Sequence, residues 1–184
     1  MIYYYLIQFK KFDFNHRVYR FFGMELCAAS LDQLFLPIGD PKKYSGPIPS
    51  DEQFCFQLIS GLQYIHENSL VHGSIKPTNI LISSSDNDPQ IKLSDFGLTT
   101  TSSLNEGHTT QRLIGGFLSS RYWLAPELLD SGKNEPTEES DIFSAGSIFF
   151  YFLSKGRHLF GDLIHDILTN TLNGFQCNLS RIGK

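Results

Sequence analysis

Cysteine is scarce in this sequence, and charge of neither sign is concentrated in it. Cys27, Cys55 and Cys177 are the only cysteines, and they are odd in number and lack C-x-x-C spacing. This pattern indicates neither a disulfide framework nor a zinc site, and it favours a reducing, cytoplasmic compartment. The formal net charge of −4, with its lysines and arginines scattered, argues against a nucleic-acid partner or an anionic membrane surface.

Long apolar runs are also lacking. The longest mostly apolar stretch, Ile142 to Leu153, has about a dozen residues, and a membrane-spanning helix needs roughly 20. At the N-terminus the lysines follow the apolar residues, whereas a signal peptide carries its positive charge first, and no small-residue cleavage site comes after them. We therefore expect no membrane contact by this chain itself.

The chain does hold enough apolar material for a core. It has 184 residues, of which 41% are hydrophobic, and it contains 16 phenylalanines. This length suggests one domain. Near the N-terminus, the pattern predicts two antiparallel strands, Tyr4 to Phe9 and Val18 to Leu26, joined by a turn across Lys10 to Arg17.

Two later stretches have helical patterns, and a loop from Pro37 to Pro49 precedes the first. Ser50 to Gln53 has the S-x-x-Q form of a capping box. Apolar residues then recur at spacings of three and four, which predicts an amphipathic helix ending near Asn68: Phe54, Leu58, Ile59, Leu62 and Ile65. His66, beside that apolar face, is expected to be structural because no second ligand lies at metal spacing.

The second helix is predicted to begin at a cap in Pro136 to Glu139. From Ile142 to Leu153 it is apolar nearly all round, which predicts a central, buried position, and it is expected to end at Gly156.

The stretch from His72 to Gly97 concentrates residues suited to phosphate and magnesium. Ile80 to Ile82 and Ile91 to Leu93 read as short strands joined by a polar turn, so the loops that flank them should emerge side by side. Asn79 offers a carbonyl oxygen and Asp95 a carboxylate, the hard oxygen ligands that Mg²⁺ takes. Lys76 adds a mobile positive charge for a phosphate oxygen. As ordinary turn residues, Asn79 and Asp95 would carry none of this chemistry.

Three motifs in this order resemble the protein-kinase signature. His72 to Asn79 matches the catalytic loop H-R-D-L-x-x-x-N, Asp95-Phe96-Gly97 matches D-F-G, and Ala125-Pro126-Glu127 matches A-P-E. The wording of Glu25 to Leu31 and of Asp141 to Gly146 is similar to one group in particular, the inositol-requiring kinase/endoribonucleases that sense unfolded protein. The 2-5A-dependent ribonuclease, with its degenerate kinase-like domain, is a more distant resemblance.

The resemblance covers about Tyr4 to Thr171 and implies an α+β protein-kinase-like fold that is truncated. Residues 1–26 would supply strands of the small lobe, 27–31 the hinge, 32–171 most of the mainly helical large lobe, and 172–184 an unassigned tail. The family's glycine-rich loop and its V-A-I-K lysine are not found in the sequence. A fragment, an incomplete gene model and a truly reduced kinase-like protein all fit this pattern.

The resemblance also implies roles for individual residues. In the implied nucleotide site, adenine would form hydrogen bonds with the extended backbone of the hinge. The residues assigned to this site are Glu25, Cys27 and Leu81. Without the motifs, the hinge stretch reads instead as a strand end followed by a short helix capped by Ser30. The metal ligands would be Asn79 and Asp95, and the catalytic-loop lysine is Lys76.

Structural roles are implied for four further residues: His72, Phe96, Glu127 and Asp141. His72 would stack on Phe96, and Asp141 would anchor the backbone of the catalytic loop. Residues Thr99 to Ser120 lie between D-F-G and A-P-E, are rich in serine and threonine, and are expected to form a flexible activation segment.

The sequence departs from the family pattern at the catalytic loop. Ser74 stands where the family places the aspartate that accepts the proton of the substrate hydroxyl. Gly73 replaces the arginine that reads an activation-loop phosphate, so phosphorylation there would lose its usual charge partner.

Three hypotheses follow. One is a pseudokinase that binds ATP and Mg²⁺ weakly or not at all and acts as a regulator or scaffold in an unfolded-protein-response-like pathway, as a homodimer or with a kinase-family partner. The second is an active serine/threonine kinase that uses a substitute base. The third is an interaction module without a nucleotide site. As part of a longer membrane-anchored protein, the chain would lie on the cytosolic face of the endoplasmic reticulum.

Overall fold

The computed structural model describes residues 8–14, 17–23, 25–83, 88–95, 121–130 and 135–181. Strands and helices follow one another in these ranges: β1 (Gln8–Phe14), β2 (Arg17–Gly23), β3 (Ala29–Ser30), α1 (Leu31–Leu34), α2 (Asp51–Glu67), β4 (Ile80–Ile82), β5 (Ile91–Leu93), α3 (Pro126–Asp130), α4 (Glu138–Leu153) and α5 (Ile164–Leu172). Single 3₁₀ turns lie at Pro77–Asn79 and Leu179–Arg181.

β1 and β2 pair antiparallel along their whole length. The predicted strand pair is therefore confirmed, but its predicted bounds were wrong. Lys10 to Phe14 belong to β1 and not to a turn, and β2 ends at Gly23, short of Leu26. The turn-forming Asp13 obscured the alternation of polar and apolar residues around it, which is the period of a strand. Residues 4–7 of the first predicted strand lie outside the described residues.

A second sheet has the strand order β3-β4-β5, with both pairs antiparallel. The bounds of β4 and β5 are those predicted, and the polar turn between them closes where the Ser83 amide donates to the Gln90 carbonyl at 2.9 Å. The segment around β3 combines the extended backbone expected of a hinge with the short helix capped by Ser30 that was the alternative prediction. Ala29 and Ser30 are extended and pair with β4, and Ser30 then begins α1, where its amide donates to Gln33 Oε1 at 2.9 Å.

The helices α2 and α4 pack on each other at the centre of the described fold. The capping box predicted at Ser50 forms, with Ser50 accepting from the Gln53 amide, and the cap predicted before α4 is also a capping box, with Thr137 accepting from the Ser140 amide. Phe54 of α2 stacks on Phe152 of α4, with ring centroids 3.8 Å apart. The buried core joins these helices to α1, the catalytic loop and the second sheet: Leu31, Phe54, Leu58, Leu62, Ile65, Ile75, Ile80, Ile82, Ile91, Leu93, Ala145, Ile148 and Phe152.

Two apolar residues of these helices are not in the core. Ile59, expected on the buried face of α2, is 40% exposed, and Ile142, expected in a helix buried nearly all round, is 53% exposed. Both side chains line a groove of about 380 Å³ between the two helices. Periodicity alone could not show this, because the solvent-facing edge of a helix pair depends on what packs beside it.

The C-terminal residues fold back against the loop between α4 and α5. Asn178 is buried, and its side-chain amide donates to the His158 carbonyl at 2.8 Å. His158 Nδ1 accepts from the Phe160 amide at 3.2 Å, so its Nε2 carries the proton that is donated to the Tyr122 carbonyl at 2.9 Å. Burial lowers the pKa of His158 to about 4. This neutral histidine therefore joins the segment before α3 to the C-terminal end of the described chain.

Several predictions fall on residues that the structure does not describe. The expected stacking partner Phe96 and the activation segment from Thr99 to Ser120 lie outside the described residues. In the part that is described, no helix is both long enough and apolar enough to cross a membrane.

Candidate active site

Asp141, in the first turn of α4, holds the backbone of the catalytic loop. Its Oδ2 accepts from the His72 amide at 2.7 Å, and its Oδ1 accepts from the Gly73 amide at 2.8 Å. Its Oδ2 also lies 3.0 Å from Nε2 of His66, at the end of α2. The side chain is only 2% exposed, and a buried carboxylate with partners at both oxygens is a rigid anchor. Gly73 has a φ of +70°, a conformation that suits glycine.

His72 is completely buried, and its ring takes part in the turn of the loop. Its Nδ1 accepts from the Ser74 amide at 3.2 Å, which requires that this nitrogen be unprotonated. Burial lowers the pKa of His72 more strongly than the nearby Asp141 carboxylate raises it. A neutral, fully enclosed imidazole fits the structural role that was predicted for it and offers no proton to a substrate.

Asn79 closes the loop onto Ser74. Its Nδ2 donates to the Ser74 carbonyl at 2.9 Å and to Ser74 Oγ at 3.1 Å. Both donors of the amide are thus directed at Ser74, and the Oδ1 acceptor has the Thr78 hydroxyl at 3.5 Å. A carbonyl oxygen held in this way by a buried amide group is a suitable ligand for Mg²⁺.

Asp95 lies next to Asn79 because β4 and β5 are paired. Ile80 is opposite Leu93, and the Ser94 amide and hydroxyl donate to the Asn79 carbonyl at 2.9 and 3.2 Å. The loops therefore emerge side by side, as predicted. Asp95 is exposed and has a φ of +61°, a left-handed conformation that aspartate adopts more readily than most residues.

The loop between these residues also positions Lys76. Lys76 is partly buried at the start of the 3₁₀ turn, and its carbonyl accepts from the Asn79 amide at 2.9 Å. Ser74 is partly buried too, and its hydroxyl is an acceptor for the Asn79 amide. The structure thus brings Ser74, Lys76, Asn79 and Asp95 together along two adjacent loops.

The described residues suit a magnesium ion only if phosphate oxygens of a substrate and water molecules supply its remaining ligands. No group of three or more His, Cys, Asp or Glu side chains in the described ranges could hold a metal ion by itself. One amide oxygen and one carboxylate are what Mg²⁺ takes from a protein when waters and substrate phosphates complete its shell. Asn79 and Asp95 would suit Mg²⁺ bound to a nucleotide, and their metal role stays a prediction.

The predicted hinge runs along the outer edge of the second sheet. The Ala28 amide donates to the Ile82 carbonyl at 2.8 Å. Glu25 forms an ion pair with Lys92 of β5. Cys27 is partly buried, and burial raises the pKa of its thiol. Leu81 is partly buried on the face of β4 opposite the core.

Sequence reasoning missed Lys92, although the pattern contained a signal for it. In β5 a lysine stands between Ile91 and Leu93, which are both buried, so the strand period directs Lys92 to the opposite face. Glu127, another predicted residue, lies exposed on α3.

Comparisons with known proteins agree with these motifs. The sequence model of the protein kinase domain matches residues 5–179, including most of the tail left unassigned above. Human serine/threonine-protein kinase/endoribonuclease IRE2 is 38% identical over 162 residues, which are 86% of this chain and 17% of that protein. The Caenorhabditis elegans protein ire-1, with the same description, is 30% identical over 158 residues, 85% of this chain and 16% of the relative.

A relative of another kind is the MAP kinase kinase skh1/pek1 of Schizosaccharomyces pombe. It is 35% identical over 125 residues, 67% of this chain and 31% of that protein. This chain therefore spans less than a third of any of these three relatives.

Proposed function

This chain belongs to the protein kinase domain family, with a kinase-like α+β fold related to the IRE kinase/endoribonucleases, and we propose that it is a pseudokinase of the serine/threonine type. It would bind ATP·Mg²⁺ weakly and transfer no phosphate. The observation that carries this proposal is Ser74, a neutral hydroxyl at the position of the family's catalytic base, hydrogen-bonded to Asn79.

A serine hydroxyl cannot replace the carboxylate. General base catalysis typically contributes about 10²- to 10⁴-fold to a rate, and it requires a group that accepts a proton near neutral pH. Ser74 Oγ already accepts a hydrogen bond from the Asn79 side-chain amide. Because the hydroxyl is neutral, it has no negative charge to attract the proton of a substrate hydroxyl. Phosphoryl transfer depends mostly on positioning and electrostatics, and a neutral hydroxyl at the position of Ser74 supplies neither the negative charge nor the base that the family's aspartate provides.

Nucleotide binding is supported by what the loops retain. Asn79 and Asp95 would hold Mg²⁺, and Lys76 would contact a phosphate oxygen. The hinge at residues 27–31, together with Glu25 just before it, would hold the adenine edge above Leu81. When bound, Mg²⁺ neutralises charge on the phosphates. The phosphate contacts of the chain's own residues are few, so binding should be weak and should depend on the metal.

We further propose a regulatory or scaffolding role in an unfolded-protein-response-like pathway, on the cytosolic face of the endoplasmic reticulum. The likeness to the inositol-requiring kinase/endoribonucleases supports this role. A homodimer or a pairing with another kinase of the family is the form in which a domain without phosphotransfer could act.

Calorimetry tests the nucleotide site. Wild-type protein titrated with ATP should bind in the presence of Mg²⁺, and the affinity should fall at least about tenfold in Asp95→Ala, because a metal ligand is lost. Glu52→Ala removes an exposed carboxylate from the first turn of α2 and is the matched control, expected to bind like wild type. Equally tight binding with the metal chelated would show that ATP uses a different site.

Phosphotransfer tests the missing base. We expect no Mg²⁺-dependent incorporation of labelled phosphate into peptide by wild-type protein, because Ser74 offers no carboxylate at the position of the base. Robust incorporation by the wild type would establish the active-kinase alternative. A thermal-unfolding midpoint unchanged by ATP and Mg²⁺ would favour the module without a nucleotide site.

A further inference from the structure

The ion pair between Glu25 and Lys92 joins the predicted hinge to the strand that ends at Asp95. Lys92 Nζ contacts Glu25 Oε2, and the two residues are 67 positions apart in the sequence. The Lys92 side chain is 18% exposed and that of Glu25 is 38% exposed, so the contact is partly shielded from water. A shielded pair of this kind holds its partners in place more firmly than a pair on the open surface.

Lys92 lies directly beside Leu81, one of the residues predicted for the nucleotide site. In the β4–β5 register Lys92 is the partner of Leu81. Directly opposed residues of an antiparallel pair present their side chains on the same face of the sheet. Their neighbours Ile80, Ile82, Ile91 and Leu93 are buried in the core, so Leu81 and Lys92 share the opposite face. Glu25 meets Lys92 on that face.

The hinge is thus attached to the sheet on both sides of Cys27. After Cys27, the Ala28 amide donates to the Ile82 carbonyl at 2.8 Å, and Ala29 and Ser30 pair with β4. Before Cys27, Glu25 is held by Lys92. An extended backbone fixed at both ends presents its peptide groups at a constant position, so less ordering is needed when a ligand binds.

We propose that Lys92, acting through Glu25, is a positioning residue that sets the hinge backbone for the adenine edge of a bound nucleotide. This inference rests on the proposed nucleotide site and names the residue that prepares its base-binding half. The ammonium group is neutralised by Glu25 and is not a phosphate ligand. Lys76 is the lysine that serves the phosphates.

Hydrogen exchange without any ligand tests the anchor itself. In Lys92→Met, which keeps the aliphatic stem and removes the charge, the amides of Leu26, Cys27 and Ala28 should exchange about fivefold faster or more. Glu25→Gln should have the same effect, and the double variant should be no faster than either single one. Lys92→Arg should restore wild-type exchange, because a single charged contact needs only a donor of similar reach. Lys155→Met is the control, since it breaks an exposed pair with Asp51.

Binding of adenosine and of ADP with Mg²⁺ separates positioning of the base from phosphate contact. Lys92→Met should weaken both probes by the same factor, about fivefold, whereas Lys76→Met should weaken ADP and leave adenosine unchanged. Equal thermal-unfolding midpoints for Lys92→Met and Lys155→Met would exclude a general loss of stability as the cause.

Three results would overturn the inference. Unchanged hinge exchange in Lys92→Met would show that Lys92 does not anchor the hinge. A loss of ADP binding alone would make Lys92 a phosphate ligand instead. Faster exchange with unchanged adenosine affinity would show that the anchor does not serve the base. If wild-type protein binds neither probe, the proposed nucleotide site itself fails, and hinge exchange then reports separately on the ion pair.

Discussion

Asp141 receives hydrogen bonds from two amides of the catalytic loop and contacts the ring of His66 at the end of α2. None of these contacts involves Ser74, so the frame of the loop does not depend on the residue at the position of the base. Asn79 donates both to the Ser74 carbonyl, which any residue supplies, and to the Ser74 hydroxyl, so only the second of these contacts depends on serine. A serine can therefore stand at this position without disturbing the loop around it.

Single residues also decide how stability responds to pH, and His158 is the clearest case. Its pKa of about 4 in the folded protein lies below its ordinary value of 6.5 because the ring is buried. The unfolded chain therefore takes up a proton first as the pH falls. The contribution of His158 to stability is complete above pH 6.5, is lost as the pH falls through about 4, and amounts to about 3 kcal/mol.

We expect His158→Gln to flatten this response. The difference in unfolding free energy between wild type and variant should be largest above pH 6.5 and should shrink steadily towards pH 4, measured by urea unfolding at a series of pH values. His72 also has a lowered pKa, but it is present in both proteins and cancels in the difference. His165→Gln, on the exposed side of α5, should keep the wild-type dependence. A pH-independent difference would contradict the expectation.

Among the elements, α2 and α4 contribute half of the large side chains in the core. Each has a capping box at its N-terminus, so the first turn is stabilised locally before any packing. Their contact is aromatic at one end, where Phe54 stacks on Phe152, and polar at the other, where His66 meets Asp141. Apolar burial provides the stability of this pair, and the polar end places the catalytic loop on it.

Two phenylalanines in the same helix test the value of this packing. Phe54 is fully buried, and Phe54→Ala should lower the unfolding free energy by about 3–5 kcal/mol through lost burial and the cavity left behind. Phe56, in the same turn of α2, is 72% exposed, and Phe56→Ala should change it by no more than about 0.5 kcal/mol. Chemical denaturation of both variants measures the difference. Similar losses in the two would mean that Phe56 is covered in solution.

At the scale of the molecule, the strands fall into two separate sheets. β1 and β2 pair only with each other in the described structure, and β3, β4 and β5 form the second sheet, which packs on α1 and α2. An isolated two-stranded hairpin is marginally stable in water. The helical part from about Ser30 onward buries its apolar residues in one continuous core.

We therefore expect stability to be uneven along the chain. Amides in β1 and β2 should exchange with solvent much faster than those of α2 and α4, because only a global opening exposes the central helices. Hydrogen exchange on monomeric protein measures both sets at once. Equal protection of Gln8 to Gly23 and of Glu138 to Leu153 would show that the hairpin is part of the same cooperative unit.

The sequence by itself determined the elements whose signals are local. The bounds of β4 and β5 follow from two short runs of Ile and Leu around a polar turn, and both long helices begin at the caps that Ser50 and Thr137 supply. The same two strands and their turn also predicted that the loops holding Asn79 and Asp95 would emerge side by side. These features depend on residues within a few positions of one another, so the pattern along the chain contains them.

Only the tertiary structure decided which side chains meet across long separations. His66 and Asp141 are 75 positions apart, and Lys92 and Glu25 are 67 apart. The exposure of Ile59 and Ile142 was likewise decided by packing, since helical periodicity predicts a face but not what covers it. Charge pairs and groove edges arise where separate elements are brought together, and no local pattern records how those elements are placed.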